Sequence, residues 1–416
     1  MKRVVVIGTG VVGLATAHYL LERGHAVTLV ERGGPDRDCC SLGNAGFISP
    51  SHFVPLASPG IVRQALAWMR DPESPFFVHA RPSPRFLGWA WRFWRATAPE
   101  RARRAEPLLR DLALRSRALF EELAASTGNE FLLQEEGLLV LVRTEKGLRH
   151  EARLVERSVE LGMPARLLDA AGVAALEPGL TLDVRGGGLY TLDAHVTPQR
   201  FVAALLRRVT ERGGRIEWNA EARGFRTEGR RVRAVLTDRG AIEGDELVLA
   251  AGSWTGLLAR RLGLALPLEP GKGYSMTLEA PREMPRRSII LNEARVAVTP
   301  MGGTVRVGGT MELGGFDLSI SPPRIRGIVR SLTRYLTGFR PEDFERAPRW
   351  CGLRPLSPDG LPYVGRTRRY ENVSVATGHA MMGFGLGPVT GLLIAQSLSG
   401  ETPDVALEGL DPDRYA

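Results

Sequence analysis

Lysine is almost missing from this 416-residue chain: Lys2, Lys146 and Lys272 are the three present, so 55 basic residues less these three leaves 52 arginines. The net charge is +9. A basic balance suits an anionic membrane surface, nucleic acid or acidic small molecules. The plain alternative is arginine standing in for lysine on solvated faces. There is no contiguous lysine/arginine tail and no recognisable RNA module, so no nucleic-acid partner is expected. Cysteine is scarce too. Three residues, with Cys39 and Cys40 adjacent, cannot build a disulfide framework and fit a reducing compartment. No His/Cys/Asp grouping has metal-ligand spacing, so no metal is expected.

Long apolar runs are lacking as well. Residues 1–17 start Met-Lys-Arg and then run uncharged, like a secretory signal. The β-branched Val4–Ile7 run followed by spaced glycines reads instead as a buried strand and turn. Ala380–Leu398 is uncharged, but Gly383, Gly385, Gly387, Pro388 and Gly391 make its first half a loop. The expectation is no transmembrane segment, no export and a cytoplasmic location.

What is abundant is glycine, 48 of 416 residues, well above the usual ~7%. That excess belongs to tight turns and closely approached backbone. Hydrophobic residues at 44% and charged residues at 24% are ordinary for a globular chain, and the length calls for two or more folding units. Lys2–Ile7 reads as a strand, Gly8-Thr9-Gly10-Val11-Val12-Gly13 as a turn, Leu14–Arg23 as a helix and Ala26–Val30 as a second strand closing on Glu31. This is a dinucleotide-binding βαβ unit. Gly8 permits the tight turn, Gly10 lets a pyrophosphate approach the backbone, and Gly13 lets helix and strand pack. The helix amino terminus offers unpaired N–H groups to phosphate. Glu31 lies 18 residues beyond Gly13, placed to accept from ribose hydroxyls.

Further along, helical spacing runs over Leu108–Ala125 and Gln199–Arg212, the latter opened by Thr197-Pro198. Strands are read at Phe131–Val142, Gly187–Leu192, Arg231–Asp238, Leu247–Ala251 and Asn372–Thr377, with several short ones over 267–309 and a terminal helix at Pro388–Leu398. The expected class is α/β (α+β): a Rossmann-like unit of 1–50, 191–265 and 345–416, interleaved with a substrate domain of 51–190 and 266–344 built on an antiparallel sheet plus helices.

The amino-terminal unit, Ser41–Gly46, Leu249–Trp254 and Gly352–Pro362 together resemble the flavin-dependent amine and D-amino-acid oxidoreductases. Asn44–Pro59, Val307–Phe316 and Gly352–Pro362 are most similar to the bacterial D-amino acid dehydrogenases. The resemblance implies non-covalent FAD in extended form, with the adenosine half on Gly8, Gly10, Val11, Val12, Gly13, Glu31 and Arg32. It implies that Ser41, Asn44, Ala45, Gly46 and Ile48 run along the pyrophosphate and flavin, beside Ala251, Gly252 and Trp254. The loop Gly378, His379, Met382, Gly383, Phe384, Gly385, Leu386 would lie flat on the ring, and the following helix would point its positive end at N1 and O2.

Hydride transfer from an amine needs chiefly a clamp for the substrate carboxylate, and arginine supplies two parallel hydrogen bonds. Arg354 lies where related enzymes place that arginine; the alternative is a salt bridge to Asp359 or Glu345. Tyr274 is the second carboxylate candidate, against a half-buried strand tyrosine. Arg306, Arg295 and His52 are weaker candidates. Met381, Met382 and Phe384 point to an apolar side-chain pocket, and Cys39 and Cys40 read as ordinary thiols. The segment 84–104 mixes tryptophan with arginine, as membrane-interface helices do, or else turns its tryptophans into the core.

The activity implied is oxidative deamination of D-amino acids, with electrons passed to a quinone or dye and peripheral association with the inner face of the cell membrane. A secondary-amine amino acid oxidase or dehydrogenase, an RNA-binding tRNA-modifying flavoprotein and a flavin-binding electron-transfer subunit are the rival readings.

Overall fold

The computed structural model describes residues 1–79 and 83–416. The β-branched strand Arg3–Ile7 sits in the middle of a six-stranded sheet ordered 363–366, 373–377, 246–249, 3–7, 26–30, 215–217. Its pairings are parallel except at the Tyr363–Arg366 edge. Helices Val11–Glu22 and Gly387–Ser399 pack together, so closely that a Cβ on Gly391 would lie 2.4 Å from the Ala15 carbonyl carbon. Their side chains share one core with Val4, Val6, Leu29 and Val248. An antiparallel three-stranded sheet, 222–243, follows.

The second unit is a nine-stranded sheet, one end of which runs Arg349–Leu356, Glu269–Leu278, Thr304–Leu313, Val296–Met301 from its edge inward. Period-two alternation gives it two distinct faces. Tyr274, Met276 and Leu278 pack with Val298, Val305 and Val307 under the helix Pro322–Tyr335. The opposite face carries Ser275, whose hydroxyl donates to the Gly43 carbonyl at 3.1 Å, and so looks at the nucleotide unit.

Four expectations change. Arg349–Leu356 pairs antiparallel with Glu269–Leu278, so the sheet boundary lies after 356 rather than at 345. The second sheet is not wholly antiparallel, since Ser288–Leu291 runs parallel to Leu138–Val142 and Phe76–Val78 parallel to Met311–Leu313. The strand read over 131–142 is only Leu138–Val142, because Leu132 and Gly137 take positive φ and break it. The helix read from 108 starts at Pro99, where a proline needs no N–H partner.

Candidate active site

The nucleotide cradle is built from glycines that cannot be exchanged. Gly8 holds φ +108°, and a Cβ there would lie 2.6 Å from the Ala250 carbonyl oxygen; one on Gly13 would lie 2.0 Å from the Gly8 oxygen. Gly10 differs: a Cβ would meet only the Ser41 hydroxyl, at 3.4 Å. Its outer side is open. Gly10 caps the first helix with no side-chain hydrogen bond, and Val11 N–H donates to the Ser41 hydroxyl at 3.0 Å. The amino terminus of the last helix abuts the first, since a Cβ on Gly387 would reach Val11 at 2.9 Å. Two positive helix ends therefore converge.

Glu31 accepts from Thr9 N–H (3.0 Å), the Thr9 hydroxyl (2.7 Å) and Gly33 N–H (3.0 Å), which fixes the carboxylate and leaves it lone pairs for a ribose. Arg32 stacks on Trp254, 3.8 Å from the ring centroid. Arg37 was not anticipated. It donates to the Thr9 carbonyl, lies over Trp218, and holds a buried Nε 3.8 Å from a Glu31 carboxylate oxygen, too far for a hydrogen bond. A buried arginine whose Nε makes no hydrogen bond, at the glycine turn beside two converging helix ends, is a donor set that fits a dinucleotide. Its Asp-Arg-Asp setting at 36–38 offered no pattern to find it by.

The loop 41–48 bridges the two units. Arg306 donates to the carbonyls of Leu42 (2.8 Å) and Asn44 (2.9 Å), and the Asn44 side chain accepts from Gly46 N–H (2.8 Å). Gly46, at φ +75°, lies against the Val196 carbonyl. Ala45 is half-buried between them, and Val12, Leu42 and Met382 are half-buried at the edge of the first core. Ala251 and Gly252 end the strand beside Gly8; a Cβ on Gly252 would touch nothing within 4 Å. Gly378 packs under the Tyr363 ring, and Gly383 and Gly385 pack against His379 and Phe47. These residues lie along the line where the nucleotide unit meets the second sheet.

Several candidates do not face it. The Ile48, Phe384 and Leu386 side chains enter the first core; the Phe384 ring lies 5.7 Å from that of Phe201, so it lines no substrate pocket, and only their backbone borders that line. The His379 ring bonds the Thr390 hydroxyl at 2.8 Å, and burial holds it neutral, its pKa down to about 3. Tyr274 is on the helix-covered face, with its hydroxyl donated to Glu312 at 2.6 Å, so alternation removes it as a carboxylate ligand. Arg306 is spent on the loop. Half-buried His52 has its pKa lowered to about 4 by desolvation and then by nearby Arg295.

Arg354 behaves otherwise. It rises from the nucleotide-facing side of the sheet, half-buried in surface area yet strongly desolvated, and desolvation lowers its pKa. Its Nη1 donates to the Thr310 carbonyl at 2.8 Å. The alternative partner Asp359 is held by Arg414 at 2.7 Å, and among the described residues no carboxylate pairs with Arg354. A desolvated cation without a counter-ion is costly. Such a group calls for an anion.

A nucleotide cradle joined to an unpaired arginine by a glycine-rich seam defines a flavin-dependent oxidoreductase site, and residues 3–397 match the family model described as FAD dependent oxidoreductase. The chain belongs to that family, and its cofactor is FAD. Within it, the chain is 36% identical to the D-amino acid dehydrogenase of Granulibacter bethesdensis, covering 100% of both chains. It is 37% identical to that of Methylobacterium nodulans, covering 99% of both. Glycine oxidase from Geobacillus kaustophilus shares the fold, with a TM-score of 0.79 at 24% identity and full coverage of both chains.

Proposed function

We propose that the enzyme oxidatively deaminates D-amino acids to 2-oxo acids and ammonia, with electrons passed to a quinone or dye. The observation that carries this reading is Arg354: a desolvated guanidinium with no carboxylate partner, on the sheet face opposite the loop 41–48. The relatives' names supply the substrate class. Bound FAD supplies the hydride acceptor. Arg354 pairs with the substrate carboxylate and fixes the orientation of Cα, so only one enantiomer directs its hydrogen rather than its side chain toward that acceptor. Met381 and half-buried Met382 support an apolar side-chain preference, now without Phe384.

The test is Arg354→Lys in the flavin-loaded enzyme, with D- and L-amino acids and N-methylglycine compared. An ammonium cannot reproduce the paired contact. Loss of one charge-assisted bond costs about 1.5–3 kcal/mol, so kcat/KM for D-alanine or D-leucine falls roughly 10- to 150-fold with the flavin spectrum retained. Unchanged efficiency removes Arg354 from the substrate site, and preference for N-methylglycine or proline favours the secondary-amine reading. Peroxide formed in air as fast as dye is reduced would make it an oxidase.

Peripheral membrane association is part of the same proposal. Among the described residues no helix is long and apolar enough to cross a membrane. Pro84–Ala96 is a helix capped by Ser83, and it divides its aromatics. Trp89 is buried, donating to the Leu356 carbonyl at 2.9 Å, whereas Leu87, Trp91 and Trp94 are 59%, 54% and 61% exposed among arginines. That outer face suits an anionic bilayer surface. Binding to anionic but not zwitterionic vesicles, lost in a Trp91→Ala/Trp94→Ala variant, is the expected outcome; equal binding to both or to neither speaks against it.

A further inference from the structure

We propose that Gly273 and a β-bulge at Thr310 are positioning elements of the substrate site, which together set the plane of the Arg354 guanidinium. The inference rests on the reading of Arg354 as the carboxylate clamp. It concerns residues that act through Arg354.

The first observation is steric. A Cβ placed on Gly273 would lie 2.1 Å from Arg354 Nη2, 2.2 Å from Nη1 and 2.3 Å from Cζ. The guanidinium therefore lies against the bare backbone of the neighbouring strand. Any side chain at 273 would move it.

The second is a break in register. Lys272 pairs with Glu312, yet Tyr274 pairs with Gly309, so Gly273 alone spans Thr310 and Met311. One strand carries an extra residue there, which is a bulge. Thr310 adopts φ +70°, a conformation that a β-branched residue rarely takes. That conformation turns its carbonyl to accept from Arg354 Nη1 at 2.8 Å.

The bulge is pinned from the far side of the sheet. Glu312, its neighbour, is buried and receives the Tyr274 hydroxyl at 2.6 Å, His79 Nε2 at 2.6 Å and Lys272 Nζ at 3.3 Å. Three partners on one carboxylate hold the extra residue where it is. Strain at a functional residue persists when its surroundings over-determine it.

The choice of a carbonyl has a chemical consequence. A carboxylate partner would orient Arg354 and also neutralise it. The Thr310 carbonyl uses one of five N–H donors and leaves the charge for an incoming anion. Gly273 sets the plane, and Thr310 sets the rotation within it.

The experiment compares Gly273→Ala, Arg354→Ala and the double variant, each loaded with FAD. Readouts are KM and kcat for D-alanine, and the inhibition constant of 2-methylalanine, which has the carboxylate and amine but no Cα hydrogen to lose. Gly273→Ala is expected to raise KM and the inhibition constant at least about 10-fold, the loss of one charge-assisted bond, with kcat at saturation little changed. In the Arg354→Ala background the same substitution is expected to add nothing. Millimolar guanidinium is expected to restore activity to Arg354→Ala and not to the double variant, because the alanine occupies the slot.

Wild-type constants for Gly273→Ala, or an equal penalty with Arg354 absent, would overturn the proposal. Should Gly273→Ala fail to fold, recovery of folding in the Arg354→Ala background supports the overlap, and failure there too overturns it. If Arg354→Ala alone leaves both constants unchanged, the clamp reading has failed, and this inference with it.

Discussion

Gly10 and Gly13 lie three residues apart in one turn, but substitution should harm the enzyme in different ways. Gly10→Ala puts a methyl where the nearest atom is the Ser41 hydroxyl at 3.4 Å, an ordinary contact, and its extended backbone (φ −69°) suits any residue. The apoprotein should keep its stability, or gain about 0.4–1 kcal/mol from a less flexible unfolded chain. The same methyl stands on the open side of the turn, between a pyrophosphate and the helix N–H groups. Displacing one or two charge-assisted bonds, at about 1.5–3 kcal/mol each, raises the FAD dissociation constant roughly 10- to 10⁴-fold.

Gly13→Ala instead drives a methyl to 2.0 Å from the Gly8 oxygen. The methyl is fixed to the helix backbone and the oxygen belongs to the turn backbone, so helix and turn must separate. Overpacking of this kind costs about 1–3 kcal/mol or more. The assay is urea unfolding of the apoproteins, with FAD affinity followed by quenching of flavin fluorescence. Wild-type FAD affinity in Gly10→Ala would refute the reasoning. So would a loss of apoprotein stability equal to that of Gly13→Ala.

Arg306→Ala removes the donors to the Leu42 and Asn44 carbonyls; FAD affinity should fall about 10- to 150-fold while KM for substrate in the reloaded enzyme stays near wild type, and a changed KM with unchanged FAD affinity would reverse the assignment. The share of stability contributed by the Glu151 carboxyl should decline as pH rises from about 4.5 to 7. Desolvated His18, His52, His195 and His379, whose pKa values are lowered to about 3–4, give the opposite trend. Burial pushes the Glu151 carboxyl up from 4.5 to about 7, so the folded state holds the proton more tightly than the unfolded chain and loses that advantage as the group ionises. Asp193, up to about 7, acts in the same direction. Glu151→Gln can still accept from the Tyr190 hydroxyl, and it should make the slope of unfolding free energy against pH more positive by up to about 1.36 kcal/mol per pH unit; an unaltered slope would exclude a contribution from Glu151.

The nucleotide cradle was legible because its chemistry is local. Gly8, Gly10, Gly13 and Glu31 are fixed by one turn and the two strands around it, and those strands appear within a residue of where the β-branched runs put them. Arg354 was singled out by its motif, since 52 arginines made composition useless for choosing it, and its lack of a carboxylate partner supports the proposed clamp. The candidates lost were those whose role depends on which way a side chain points. Tyr274 and Gly273 are adjacent in sequence, yet they serve opposite faces of one sheet. Phe384 and His379 sit in the glycine loop but turn into the core and onto Thr390.

The sequence by itself determined the dinucleotide turn, the flavoenzyme class and the arginine motif, since each depends on residue type at short spacing. Tertiary structure decided what long-range pairing controls: that Arg349–Leu356 joins the second sheet, that Arg37 returns to the first turn, and that Arg354 keeps no carboxylate while Asp359 is taken by Arg414. Whether a strand's odd or even residues face the nucleotide unit depends on register with a partner tens to hundreds of residues away, and a one-residue bulge resets it.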